Sequence, residues 1–147
     1  MYKHILIPTD GSDVAEKAVT SGIEFARESG ARVTLFTAVP EYELPTESAV
    51  ISGNWVSQEE HALESERKAC AILADGAERA RAARLAFGTD YAQSNEPWKA
   101  IVEAAERNGC DAIFMASHGR KGLAAVWHGS QTSEVLSHSD LPTLVYR

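Results

Sequence analysis

Apolar positions along this chain fall into two alternating rhythms. Short continuous runs recur between longer stretches in which apolar residues return every third or fourth position. The runs cover residues 2–8 (closing on Pro8), 32–39, 84–91 (interrupted by Gly88), 112–116 and 142–146. Their length and β-branched content predict strands, the first buried on both faces. Between the first two runs, Ala15, Ala18, Val19, Gly22, Ile23 and Ala26 share one helical face. Ser12 suits the start of that helix and Gly30 its end. Residues 58–81 are rich in strong helix formers. Asn95 and Pro97 open a third helix that carries Ile101, Val102 and Ala105 and stops at Asn108-Gly109. A fourth starts near Gly129 and runs to about His138. Strict strand–helix alternation predicts an α/β fold, a parallel sheet with helices on both faces. Such sheets take ligands beyond the carboxyl ends of their strands, where the strand order reverses. Residues 40–55 hold two prolines and a glycine. They predict a loop, long enough to suggest function or mobility.

Composition narrows the picture. The chain has 147 residues, 44% hydrophobic and 24% charged, which predicts one domain over residues 1–147 with a real core. A net charge of −7 argues against nucleic acid or an anionic membrane as main partner, although local dipoles can still hold a small anion. No stretch is long and apolar enough to cross a membrane, and the first strand begins too early for a signal peptide. Cys70 and Cys110 lie on unrelated segments and read as reduced, buried small hydrophobes. Together these features predict a cytoplasmic protein.

Candidate chemistry concentrates late in the chain. The fourth strand empties into Ser117-His118-Gly119-Arg120-Lys121-Gly122, and Gly129-Ser130-Gln131-Thr132 follows at a helix start. Glycines let main chain approach an anion, hydroxyls donate to it, and a helix N-terminus offers free N–H groups. The plain alternative is that these glycines only shape turns. His118 reads as a solvated loop residue, and His128 pairs equally well with Trp127 in packing. Glu59, Glu60, Glu64 and Glu66 read as a solvated helix face. A Gly-Lys-Ser/Thr loop is absent, as is a glycine fingerprint after the first strand.

Three segments together resemble the universal stress protein family over essentially the whole length. They are Ile5-Leu6-Ile7-Pro8-Thr9-Asp10-Gly11-Ser12, then Ser117-His118-Gly119-Arg120 with Gly129-Ser130, and the closing Leu141-Pro142-Thr143-Leu144-Val145. The nucleotide-binding members carry a Gly-x-x-Gly, nine-residue spacer, Gly-Ser/Thr pattern. Here Gly119 and Gly129-Ser130 match it, and Ala116 stands at the first glycine. The resemblance implies a three-layer α/β sandwich of the adenine-nucleotide alpha-hydrolase-like, Rossmann-like type, with five parallel strands in the order 3-2-1-4-5. It implies ATP as ligand, with ADP and AMP as alternatives, and Mg²⁺ carried by the phosphates. Pro8, Thr9 and Asp10 would face adenine and ribose, and Val39 would offer main-chain bonds to the adenine edge. Met115 and Ala116 would line the ribose. Gly119 and Arg120 would wrap the phosphates, and Gly129, Ser130, Gln131 and Thr132 would hold their far end. It further implies a stress-response regulator that forms a homodimer through strand five, residues 142–146. Two alternatives stay open: an interaction module of the same fold without nucleotide, and a slow ATPase or autophosphorylating protein.

Overall fold

The computed structural model describes residues 1–117 and 129–147. Side chains leave the central strand β1 (His4–Pro8) alternately, Ile5 and Ile7 to one side and Leu6 to the other. Two cores result. One lies under α1 (Asp13–Ser29) and α3 (Gln58–Ala82) and joins Ile5, Ile7, Val19, Ile23, Leu35 and Leu73. The other lies under α4 (Pro97–Arg107) and α5 (Gly129–His138) and joins Leu6, Phe36, Ile101, Ile113, Met115 and Val135. Both rest on a sheet of β1, β2 (Arg32–Val39), β3 (Phe87–Gln93), β4 (Ala112–Ala116) and β5 (Thr143–Tyr146). All pairings are parallel, in the order β3-β2-β1-β4-β5, as the resemblance implies. Helix α1 lies close on the sheet at Gly22, where an added Cβ would sit 2.7 Å from Ile7 Cδ1.

Three sequence expectations are corrected. The 40–55 loop contains a six-residue helix, α2 (Glu47–Ser52). Thr46 Oγ1 accepts from the Ala49 N–H at its start, and Gly53 closes it in the left-handed conformation. It buries none of its residues, and Val50 and Ile51 are exposed, so no apolar periodicity announces it. Strand β3 begins at Phe87, not Arg84, because Arg84 serves to end α3. It takes φ +58°, and the Leu85 N–H reaches back to the Ala80 carbonyl at 3.1 Å. A side chain in that conformation costs about 1 kcal/mol. Cys70 is exposed on α3; Ala69 and Leu73 take the buried face, and Cys70 is turned away from it.

The amino-terminal end of the sheet is closed by Asp111. Its carboxylate accepts the main-chain N–H of Lys3 at 2.9 Å and of His4 at 3.0 Å. Nearby, His4 Nε2 lies 2.7 Å from Thr34 Oγ1. Burial pushes the Cys110 thiol up to about 11, with Thr34 pulling the other way, so it stays a neutral thiol. Burial raises the Asp111 carboxyl, but the donors from Lys3, His4 and its own N–H outweigh that and hold it below its ordinary 3.8. The stabilisation is therefore complete above about pH 3.8 and is lost as pH falls through the lowered folded value. Asp111→Asn is expected to cost about 1 kcal/mol at neutral pH. The gap to wild type should close in acid, as read from urea titrations at both conditions. A gap that persists in acid would assign the loss to shape and not charge.

Candidate functional site

Register opens a cleft at the opposite end. β1 pairs with β4 only at Ile5↔Ala112 and Leu6↔Ile113. β1 then continues along β2 as far as Pro8↔Phe36, and β4 continues along β5 as far as Ala116↔Tyr146. Beyond Leu6 and Ile113 the two central strands therefore part. β1 connects onward to β2 and β4 to β5, so the gap lies where the winding of the sheet reverses.

One wall is the turn after β1. Pro8 has no N–H to give, and the Thr9 N–H donates to the Phe36 carbonyl at 2.8 Å. Thr9 is 1% exposed, and its Oγ1 accepts from the Gly11 N–H at 3.1 Å. Asp10 Oδ1 accepts from the Ser12 N–H at 2.9 Å, and Ser12 in turn caps α1. Gly11 sits at φ +81°, which this tight turn requires and a side chain would strain. Behind it, burial pushes the Glu16 carboxyl above its ordinary range. Arg79, 3.7 Å from Oε2, pulls it back; Asp75 pushes it up, the Thr9 hydroxyl lowers it and Asp10 raises it.

The second wall is the end of β2. Odd-numbered residues of this strand turn their main-chain groups toward β3: the Val33 N–H donates to the Ala86 carbonyl, and the Val39 carbonyl accepts from Ser94 at 2.8 Å. Even-numbered residues turn toward β1, as Phe36 does in meeting Thr9. Ala38 is the next even residue, and β1 has already ended there. Its main-chain groups face the gap, while those of Val39 face β3. The sequence alone did not single out Ala38.

The third wall joins β4 to α5. Met115 is 2% exposed and packs in the α4–α5 core, whereas Ala116 is half-buried at the strand end. The Thr132 hydroxyl, itself buried, donates to the Ala116 carbonyl at 2.9 Å. Gln131 Oε1 accepts the Trp98 N–H at 2.9 Å, in the first turn of α4, where the Glu96 side chain makes no capping bond. The Trp98 and His138 rings stack with centroids 4.4 Å apart. Thr132 and Gln131 thus fix the start of α5 against β4 and α4, and Ser130 is exposed beside them. The structure places Pro8, Thr9 and Asp10 at the end of β1, Ala116 at the end of β4, and Gly129, Ser130, Gln131 and Thr132 at the start of α5; Met115 packs into the core beneath α4 and α5, and Val39 is turned toward β3. Gly119 and Arg120, with His118 and His128, lie outside the described residues. Among the described residues no cluster of three metal-ligating side chains occurs.

Comparison with known proteins points one way. A sequence model of the universal stress protein family matches residues 1–147. Universal stress protein MJ0531 of Methanocaldococcus jannaschii is 32% identical over 150 residues, covering 100% of this chain and 83% of that one. Universal stress protein MJ0577 of the same organism is 30% identical over 155 residues, covering 100% and 96%. The solved structure of MJ0577 superposes with TM-score 0.75 at 28% identity, over 99% of this chain and 95% of that one. A universal stress protein in complex with cAMP gives TM-score 0.67 at 24% identity, over 99% and 97%. The Archaeoglobus fulgidus protein in complex with dAMP gives 0.63 at 20%, over 99% and 98%.

Proposed function

Because this chain belongs to the universal stress protein family, we propose that it is a regulatory protein that binds an adenine nucleotide in the gap between β1 and β4. The observation that carries the reading is the parting of these strands, with the Ala38 main chain on one side and the start of α5 on the other. The complexes of similar proteins with cAMP and dAMP support it.

In this reading adenine lies against Pro8 and Thr9, and the Ala38 N–H and carbonyl offer one donor and one acceptor to its edge. Asp10 faces the ribose, and Met115 and Ala116 back it. The first turn of α5 carries N–H groups without helical partners and a partial positive charge, suited to phosphate oxygens. Ser130 adds a hydroxyl there, and the family's sequence pattern adds Gly119 and Arg120. Gln131 and Thr132 position that turn instead of touching the ligand, since each already has a protein partner. Mg²⁺ would travel with a di- or triphosphate, held mainly by phosphate oxygens. Dimerisation through β5 belongs to the same proposal. Thr143 and Val145 turn their main-chain groups outward on that edge, and Val145 is 36% exposed.

Thermal unfolding tests the nucleotide. AMP, cAMP or ATP with Mg²⁺ at about a hundred times its dissociation constant should add about 2.7 kcal/mol and raise the midpoint by about 5–10 °C. GTP should do far less. An absent rise would replace nucleotide binding by the interaction-module reading, and an equal one with GTP would mean a nucleotide site that does not read adenine.

A further inference from the structure

A parallel sheet has two edges, and the two edges of this one differ. At one end β5 turns Thr143 and Val145 outward, and no side chain among the described residues accepts from their N–H groups. At the other end stands β3, seven residues long and without a buried residue. Its pairing fixes which groups point where. The Ala86 carbonyl and the Ser94 N–H bond to β2, so the even residues between them face β2. Phe87, Thr89, Tyr91 and Gln93 therefore turn their main-chain groups out of the sheet. A groove of about 440 Å³ runs between this edge and α3, walled by Ala69, Leu73, Ala77 and Tyr91 and rimmed by Glu66, Thr89 and Asp90. An outward strand edge beside a groove is the setting in which a foreign strand adds to a sheet.

One side chain stands in the way. Asp90 Oδ1 accepts the N–H of Tyr91 at 2.8 Å. Its Oδ2 is clamped from α4 by Arg107 Nη2 at 2.6 Å and Nε at 3.2 Å, and by Asn108 Nδ2 at 2.9 Å. Asn108 is itself tied to the Ala104 carbonyl at 2.8 Å. We propose that Asp90 is a gatekeeper of the β3 edge: its clamped carboxylate takes the central outward N–H that an arriving strand from a second copy of this chain would need. Its acceptor oxygen also stands where that strand's own acceptor, a carbonyl oxygen, would have to come. The three bonds from α4 keep the carboxylate from swinging off, so the block is part of the fold. Self-association through strands is thereby directed to β5.

Two experiments test this. In the unaltered protein, hydrogen exchange read by NMR should be slower at the Tyr91 amide than at Thr89 and Gln93, which share its strand and its outward direction. Equal rates at the three would overturn the proposal. In sedimentation velocity, Asp90→Ala should show a further, concentration-dependent association that is at least tenfold stronger than in wild type. Adding Tyr91→Pro, which deletes an N–H that β2 does not use, should abolish it. Arg107→Ala removes two of the three bonds that hold the carboxylate, so it should associate more than wild type and less than Asp90→Ala; sedimentation equal to wild type would overturn the clamp as the reason the carboxylate stays in place. A folded Asp90→Ala protein with wild-type sedimentation, or association that survives Tyr91→Pro, would overturn it.

Discussion

Phe36→Ala is expected to lower the unfolding free energy by about 3–5 kcal/mol. Phe36 is fully buried in the core beneath α4 and α5, among Leu6, Ile101, Ile113 and Met115. It lies on a strand with neighbours on both sides, so the cavity left by the ring cannot close by a shift of one loose element. Domains of this size have about 5–15 kcal/mol in all, so the loss is a large fraction of the total. The midpoint of thermal unfolding should fall by about 10 °C, with the transition still cooperative. Phe36→Leu should cost only about 1–1.5 kcal/mol, since it keeps most of the volume. The substitution also reaches the cleft, because the Phe36 carbonyl holds the Thr9 N–H. A drop below about 1 kcal/mol in a urea titration would mean that the core repacks freely and does not hold that turn rigidly.

Ala38→Pro is expected to weaken adenine nucleotide binding at least tenfold, about 1.4 kcal/mol, while leaving stability within about 1 kcal/mol of wild type. The reason is the direction of one N–H. Ala38 turns its main chain toward the space past the end of β1, so proline there removes a donor that no strand uses. Val39→Pro makes the contrast. Val39 faces β3, and losing its N–H removes a ladder bond and should cost about 1–3 kcal/mol of stability. Calorimetric titration with AMP, alongside thermal unfolding of both variants, separates the two effects. If Ala38→Pro binds as tightly as wild type, the adenine edge is not read by Ala38.

Much of this architecture is legible in the residues because the signals are local. Ser12 and Gly30 bracket α1 as read, and the strand–helix alternation gives the parallel sheet. The misses have equally local causes. Helix α2 carries caps but no apolar periodicity, since none of its residues is buried. Arg84 sits in a conformation usually left to glycine, so the end of α3 looked like the start of a strand. The site divides along another line. Residue type points to Thr9, Asp10 and Ser130, but the choice between Val39 and Ala38 depends on which strand each faces and where that neighbour stops. The anchoring roles of Gln131 and Thr132 likewise depend on α4 and β4, distant in sequence.

Those two anchors have a consequence for how the chain tolerates change. The start of α5 takes its position from the Thr132–Ala116 and Gln131–Trp98 bonds, made by its own side chains. Two bonds from the helix's own first turn therefore tie its start to β4 and α4 at once. A change at either side chain should shift the helix start relative to both elements, so these two positions tolerate less substitution than their lack of ligand contact would suggest.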